Sequence, residues 1–347
     1  MPSLPDFPVF DGHNDALLRL WRSPDPQAIG HFLDGGADPQ GHIDLVRARE
    51  GGLAGGLCAI YVPSERVLDD QGNWPTPSRE DALEATTAMA GLLHRLEAAS
   101  GGGLSLCRTA ADIRAAMARG SFAAVMHIEG AEAIGADLDL LYLLHAAGLR
   151  SLGPVWSRPN IFAFGVPFRH PHSPDIGPGL SGHGKALVRA CNDLKIMLDL
   201  SHLNEAGFWD VARLSDAPLV ASHSNVHAIC PHSRNLTDAQ LDAIGDTGGL
   251  VGINFGVMFL TPDSRRDLAM DLSQMVRHVD YIVERIGIEH VAFGSDFDGT
   301  TIPAALRDCR DLPTLLAAFR TAGYDDASLR KLSHENWLRV LERTLGG

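Results

Sequence analysis

Eight short apolar runs recur along the chain, several ending in a polar cluster: FPVFDGHND, LAGGLCAIYV, FAAVMHIEG, LRSLGPVW, KIMLDLSH, PLVASHSN, GLVGINF and HVAFGSDFDG. Most are separated by stretches whose apolar positions recur near the helical period, among them EDALEATTAMAGLLHRLEAA, LDLLYLLHAAG, KALVRACND, NEAGFWDVARL and AMDLSQMVRHVDYIVERIG. Buried strands alternating with amphipathic helices imply a parallel sheet with helical crossovers. Eight such units predict a closed (β/α)8 TIM-type barrel, a single domain over 1–347, in which residues at the C-terminal ends of the strands converge on one face. An open doubly wound sheet accepts the same alternation but would spread the polar clusters apart. The stretch KLSHENWLRVLERTLGG reads as a final amphipathic helix with a glycine stop.

Composition narrows the partners. Lys plus Arg number 29 against 43 Asp plus Glu, a formal charge of -14, which disfavours nucleic acid and anionic membrane surfaces. No apolar stretch approaches the roughly 20 residues of a membrane helix. The opening MPSLPDFPVFDGHND has neither the basic nor the apolar region of a secretory leader. Cys58, Cys107, Cys191, Cys230 and Cys309 are odd in number and scattered, which fits a reducing compartment. The expectation is a soluble cytoplasmic protein. Pro159 to His183, PNIFAFGVPFRHPHSPDIGPGLSGH, is a long Pro/Gly-rich loop at about 159–183, and such loops inside compact domains are usually functional. It reads as an active-site wall or lid, with a plain surface excursion as the alternative.

The polar clusters supply a metal-ligand set. His13 and Asp15 lie two apart at the end of the first run, so a strand sends both side chains to one face, with Asn14 pointing away. Glu129 emerges from the very apolar FAAVMHI, where a carboxylate is costly unless paired or metal-bound. Its two oxygens could bridge two ions; an N-cap or salt bridge is the plainer reading of Glu129 alone. His202 and His223 end the fifth and sixth runs, each preceded by serine, and this repeated placement is the stronger signal. The five side chains suffice for two divalent ions, zinc by ligand type, each lowering the pKa of bound water towards ~7. Asp296 closes the eighth run and could act as general acid/base; Asp298, two residues on, could instead order the turn through Gly299. Arg234 lies beyond His223, where a guanidinium could clamp a substrate carboxylate or form a surface salt bridge.

DGHND, HIEG, DLSH, SHS followed by SRN, and GSDFDG, in that order, resemble the membrane dipeptidase (renal dipeptidase) family of the amidohydrolase superfamily over nearly the whole chain. The resemblance implies a metal-dependent hydrolase with two zinc ions, one on His13 and Asp15, the other on His202 and His223, with Glu129 bridging. It further implies that a bridging hydroxide attacks the peptide carbonyl and that Asp296 shuttles the proton. Arg234 would hold the C-terminal carboxylate of a dipeptide, a C-terminal D-residue would be tolerated, and the protein would be a homodimer. One position departs from the family: its histidine in a Leu-Thr-His run is replaced by Trp156 in Pro154-Val155-Trp156-Ser157. Tryptophan donates one N–H but neither titrates nor ligates metal, so Trp156 would form an apolar wall or give one hydrogen bond, with His170 or His172 as substitute imidazoles. This departure keeps open an amidohydrolase acting on another small amide, lactone or ester. A metal-binding barrel without catalysis is a third reading, disfavoured by Asp296. The carboxylated-lysine branch of the superfamily fits poorly, because Lys195 begins its strand at the wrong end.

Overall fold

The computed structural model describes residues 7–36, 40–64, 68 and 74–346; residues 1–6 of the stretch read for a leader lie outside it. Among the described residues nine strands carry the fold: β1 (Val9–Asn14), β2 (Leu53–Tyr61), β3 (Leu104–Leu106), β4 (Phe122–Glu129), β5 (Leu149–Gly153), β6 (Met197–Leu198), β7 (Val220–Ala221), β8 (Leu250–Ile253) and β9 (Val291–Phe293). All pair in parallel, in the orders β1-β2-β4-β5-β6 and β7-β8-β9. The two seams are closed by backbone pairing. Asp199 bridges Val220 between β6 and β7, and Asn14 bridges Phe297 beyond β9. Across the second seam the Asp296 N–H donates to the His13 carbonyl at 3.0 Å and the Asp15 N–H to the Phe297 carbonyl at 2.8 Å.

Each of the eight apolar runs is therefore a barrel strand. The ninth, β3, lies off the ring beside the start of β4, and its three residues are too short to show any periodicity. The five helix-like stretches become Arg79–Ala99, Asp139–Ala147, Gly182–Leu194, Glu205–Leu214 and Ser273–Ile286. Three of these begin on a side-chain cap: Ser78, Ser181 and Asn204 accept the backbone N–H groups of Asp81, Gly184 and Gly207. Each such cap satisfies an otherwise orphaned donor and stabilises its helix by about 1 kcal/mol.

Side-chain alternation along β4 sets the layers inside the barrel. Ala123 and Val125 join the inner apolar cluster, His127 sits above them, and Glu129 ends the strand at the same parity. Phe10, Leu57, Met197, Val220 and Ala292 complete the apolar floor together with Trp337 from the final helix, Asn336–Leu345. Trp337 is fully buried, packs against Phe10 at 6.3 Å and donates its indole N–H to the Phe293 carbonyl at 2.8 Å. Gly12 makes room for it, since a Cβ there would overlap the Trp337 ring. Above the floor comes a buried polar layer of His127, Ser151, Asp199 and Ser222, and above that the strand ends open into a cavity.

Candidate metal centre

Five side chains from four strand ends meet at one point. The Glu129 Oε1 atom lies 2.9 Å from His202 Nε2, 3.3 Å from His223 Nε2 and 3.8 Å from His13 Nε2. His13 Nε2 is also 3.4 Å from Asp15 Oδ2, and the two later imidazoles approach each other at 3.0 Å between their Nε2 atoms. All five are buried. Two triads of donor atoms result, His13-Asp15-Glu129 and Glu129-His202-His223, sharing the glutamate. His202 and Asp296 hold positive φ values of 69° and 59°, a strained backbone that clusters where function demands it.

The donor set fits metal. Both ring nitrogens of His13 and Asp15 Oδ1 are buried without a hydrogen-bond partner among the described residues. Such atoms are expensive to bury unless something binds them. Electrostatics point the same way. Burial pushes Glu129 up to about 8 and Asp296 up to about 6, with Asp15 adding repulsion to both. Burial opposes charge on His13, yet Glu129, Asp15 and Asp296 together carry it up to about 10. Burial, helped by Arg234 and His13, drives His202 and His223 far below the ordinary histidine range, leaving neutral imidazoles with lone pairs to offer. A cluster of acids that recruits a proton onto His13 while keeping two imidazoles neutral is short of positive charge, and divalent cations supply it.

The cavity above the cluster measures about 560 Å³, a size suited to a small ligand. Asp296 lines it, its Oδ2 accepting the Asn254 amide at 2.8 Å. Arg234 lines it too: its guanidinium donates to the His223 carbonyl at 3.1 Å and to Ser224 Oγ at 3.4 Å, while the buried Nε has no partner among the described residues. Burial pulls this guanidinium down to about 10 against the attraction of Glu129 and Asp296. Trp156 forms one wall, its ring 5.1 Å from Tyr61, 5.9 Å from Trp74, 5.5 Å from Phe168 and 5.8 Å from His202. The 159–183 loop is fastened over the ends of β6 and β7, with Val166 N–H donating to the His202 carbonyl at 2.8 Å and Ser233 N–H to the Arg169 carbonyl at 3.0 Å. It contributes Phe168 to the cavity, as a wall rather than a plain surface excursion.

Two sequence expectations need correction. His170 and His172 do not supply a substitute imidazole: His170 Nε2 pairs with the Pro262 carbonyl and His172 Nδ1 with the Ser173 carbonyl, and neither lines the cavity. Asp298 does not order the turn through Gly299, which the Asp296 carbonyl closes by accepting the Gly299 and Thr300 N–H groups. Asp298 instead ties the 40–44 segment to the helix Ala16–Trp21, accepting His42 N–H at 2.6 Å and pairing with Arg19 at 3.1 Å. Sequence reasoning missed Ser157, Asp199, Ser222 and Asn254, which hold His202, His223 and Asp296 in place. A signal existed for two of them. Asp199 and Asn254 continue the inward parity of Met197 and of Leu250 by the period-two rule.

Comparison with known proteins identifies relatives. The membrane dipeptidase (peptidase family M19) model matches residues 3–345. A metallo peptidase from Rhodobacter sphaeroides, solved with a phosphinate mimic of the dipeptide L-Ala-D-Ala, is 54% identical and superimposes with a TM-score of 0.94 over 97% of this chain and 99% of its own. The probable dipeptidase PvdM from Pseudomonas aeruginosa is 26% identical with a TM-score of 0.84, covering 98% of this chain and 96% of its own. Dipeptidase verJ from Clonostachys rogersoniana is 29% identical over 98% of this chain and 84% of its own length.

Proposed function

Because the chain belongs to the membrane dipeptidase family and is a metal-dependent dipeptidase, we propose that it hydrolyses the peptide bond of small dipeptides, including those with a C-terminal D-residue, using two zinc ions. The observation that carries this is the position of Glu129 Oε1 within 3.8 Å of three imidazole nitrogens. His13 and Asp15 would hold one ion, His202 and His223 the other, and Glu129 both. When bound, the ions supply an acidified water at neutral pH and polarise the scissile carbonyl.

This chain's own residues do the rest. Arg234 binds the carboxylate of the C-terminal residue and so sets the register of the peptide in the cavity. Asp296, kept in place by Asn254, takes a proton from the attacking water and passes it to the leaving amine. Trp156 with Tyr61 and Phe168 closes one side against water and packs on a substrate side chain. The L-Ala-D-Ala mimic bound by the Rhodobacter sphaeroides relative supports the D-residue.

The same reading takes 1–347 as one functional unit, working in the cytoplasm as a homodimer. Five free, buried cysteines support a reducing compartment, and no helix of the described residues is long and apolar enough to cross a membrane. The test combines zinc stoichiometry on purified protein with hydrolysis of L,L and L,D dipeptides before and after chelation. Two ions per chain and chelator-sensitive cleavage are expected. Absence of metal-dependent cleavage across the panel would remove the proposal.

A further inference from the structure

We infer that Asp199 and Ser222 form a relay that fixes the tautomer of His223, so that its Nε2 presents a lone pair to the metal site before any ion arrives. The inference rests on the metal-dependent reading above. Asp199 is buried in the polar layer beneath the site, and its Oδ1 accepts the backbone N–H groups of Ser201 at 3.0 Å and Ser222 at 2.8 Å. Its Oδ2 accepts the Ser222 hydroxyl at 2.5 Å. A carboxylate offers only lone pairs, and a hydroxyl has one proton, so Ser222 has committed its proton to Asp199. The same hydroxyl oxygen lies 2.7 Å from His223 Nδ1 and can meet it only as acceptor. Nδ1 therefore carries the ring hydrogen. In a neutral imidazole the lone pair then sits on Nε2, which faces Glu129 Oε1 at 3.3 Å.

His202 is held differently. Its Nδ1 meets the Ser157 hydroxyl at 2.7 Å, and among the described residues no carboxylate stands behind that serine. Nothing fixes its tautomer from the Nδ1 side, so of the two imidazoles only His223 is preset by a relay. The two backbone donors also aim the relay. Both point at Oδ1, so an asparagine at 199 must place its carbonyl there and its NH2 against Ser222. Ser222 would then turn its proton onto His223 Nδ1, and the ring hydrogen would move to Nε2, where it blocks ligation.

The test uses the full chain and Asp199→Asn, which keeps size and shape. Long-range 1H–15N spectra of histidines in metal-free protein should show His223 protonated at Nδ1 in the wild type and at Nε2 in the variant. Zinc chloride titrated against a chromophoric chelator should show one of the two ions bound about 10- to 100-fold more weakly by the variant. Removing the hydroxyl as well, in D199N/S222A, should recover part of that affinity, which a merely structural role for Asp199 does not predict. An Nε2–H tautomer in the wild type overturns the relay whatever the variants do. So does D199N with unchanged zinc affinity, or a double variant that binds no tighter than D199N. Wild-type protein that takes up no zinc would remove the metal reading instead, with its tautomer still deciding this one.

Discussion

Replacing Arg234 by methionine separates a carboxylate-binding dipeptidase from an enzyme that merely accepts small amides. Arg234 is 4% exposed, and its guanidinium carries five N–H donors, of which the His223 carbonyl and Ser224 Oγ engage two, the latter weakly at 3.4 Å. Nε has no partner among the described residues, and the Phe259 ring lies 5.7 Å from the guanidinium carbon. On the proposed reading, a substrate carboxylate would meet a preformed fork with donors to spare. Two charged hydrogen bonds at roughly 1.5–3 kcal/mol each set the upper scale. The wild-type site already bears the cost of an under-satisfied buried cation, which offsets part of this, leaving an expected loss of about 2–4 kcal/mol in transition-state binding. That corresponds to a fall in kcat/KM of roughly 30- to 1000-fold. The assay compares a dipeptide with its own C-terminal amide, on both proteins, with melting curves as the folding control. The wild type should prefer the free acid strongly, and R234M should cleave the two almost equally. A variant that keeps the preference, or that loses the same factor on both substrates, refutes the assignment.

Other expectations follow from the same geometry. Asp296→Asn retains the Asn254 contact and tolerates the positive φ of 59°, so metal content should persist while kcat falls by about 10²- to 10⁴-fold; unchanged turnover would exclude Asp296 as the proton carrier. Chelated protein should lose stability as pH rises from 7 to 8. The buried Glu129–His13 pair, with both groups raised, holds on to a proton that the unfolded chain has released by then, whereas the depressed His202 and His223 are neutral in the folded state. The slope is roughly 1 kcal/mol per pH unit for each extra proton held, and melting curves of metal-free against zinc-loaded protein should diverge over this interval; parallel curves would contradict it. Trp156→Ala should weaken kcat/KM by roughly 1–3 kcal/mol for dipeptides with a large apolar side chain and much less for Ala-Ala. Equal losses on both would argue against packing as its role.

The strands that position the site were legible because each combines an apolar run with a polar end, and a barrel must bring such ends together. Glu129 could be read from FAAVMHIEG alone, as an acid emerging where acids are expensive. His202 and His223 were legible only as a pair. What eluded the sequence lies one layer down. Ser157 follows a loop tryptophan with no periodicity to mark it, and Ser222 differs in no sequence property from Ser201, although only Ser222 reaches His223 Nδ1. Asp298 misled for a related reason: so close to Gly299 it looked placed to order the turn, but positive φ values of 59° and 68° at Asp296 and Asp298 turn the chain and send its carboxylate towards Arg19. Hydrogen-bond partners separated by more than 200 residues, such as His42 and Asp298, leave no trace in local pattern.

The seam between β1 and the segment after β9 joins residues far apart in the sequence, with Asp11 accepting both the N–H and the hydroxyl of Ser295 at 2.7 Å. His13 and Asp15 lie at the end of β1, yet part of the backbone that frames them comes from some 280 positions further along the chain. The pairing of β1 with β2 alone therefore leaves the His13 and Asp15 end of the candidate metal site half framed, and closing the ring after β9 completes it.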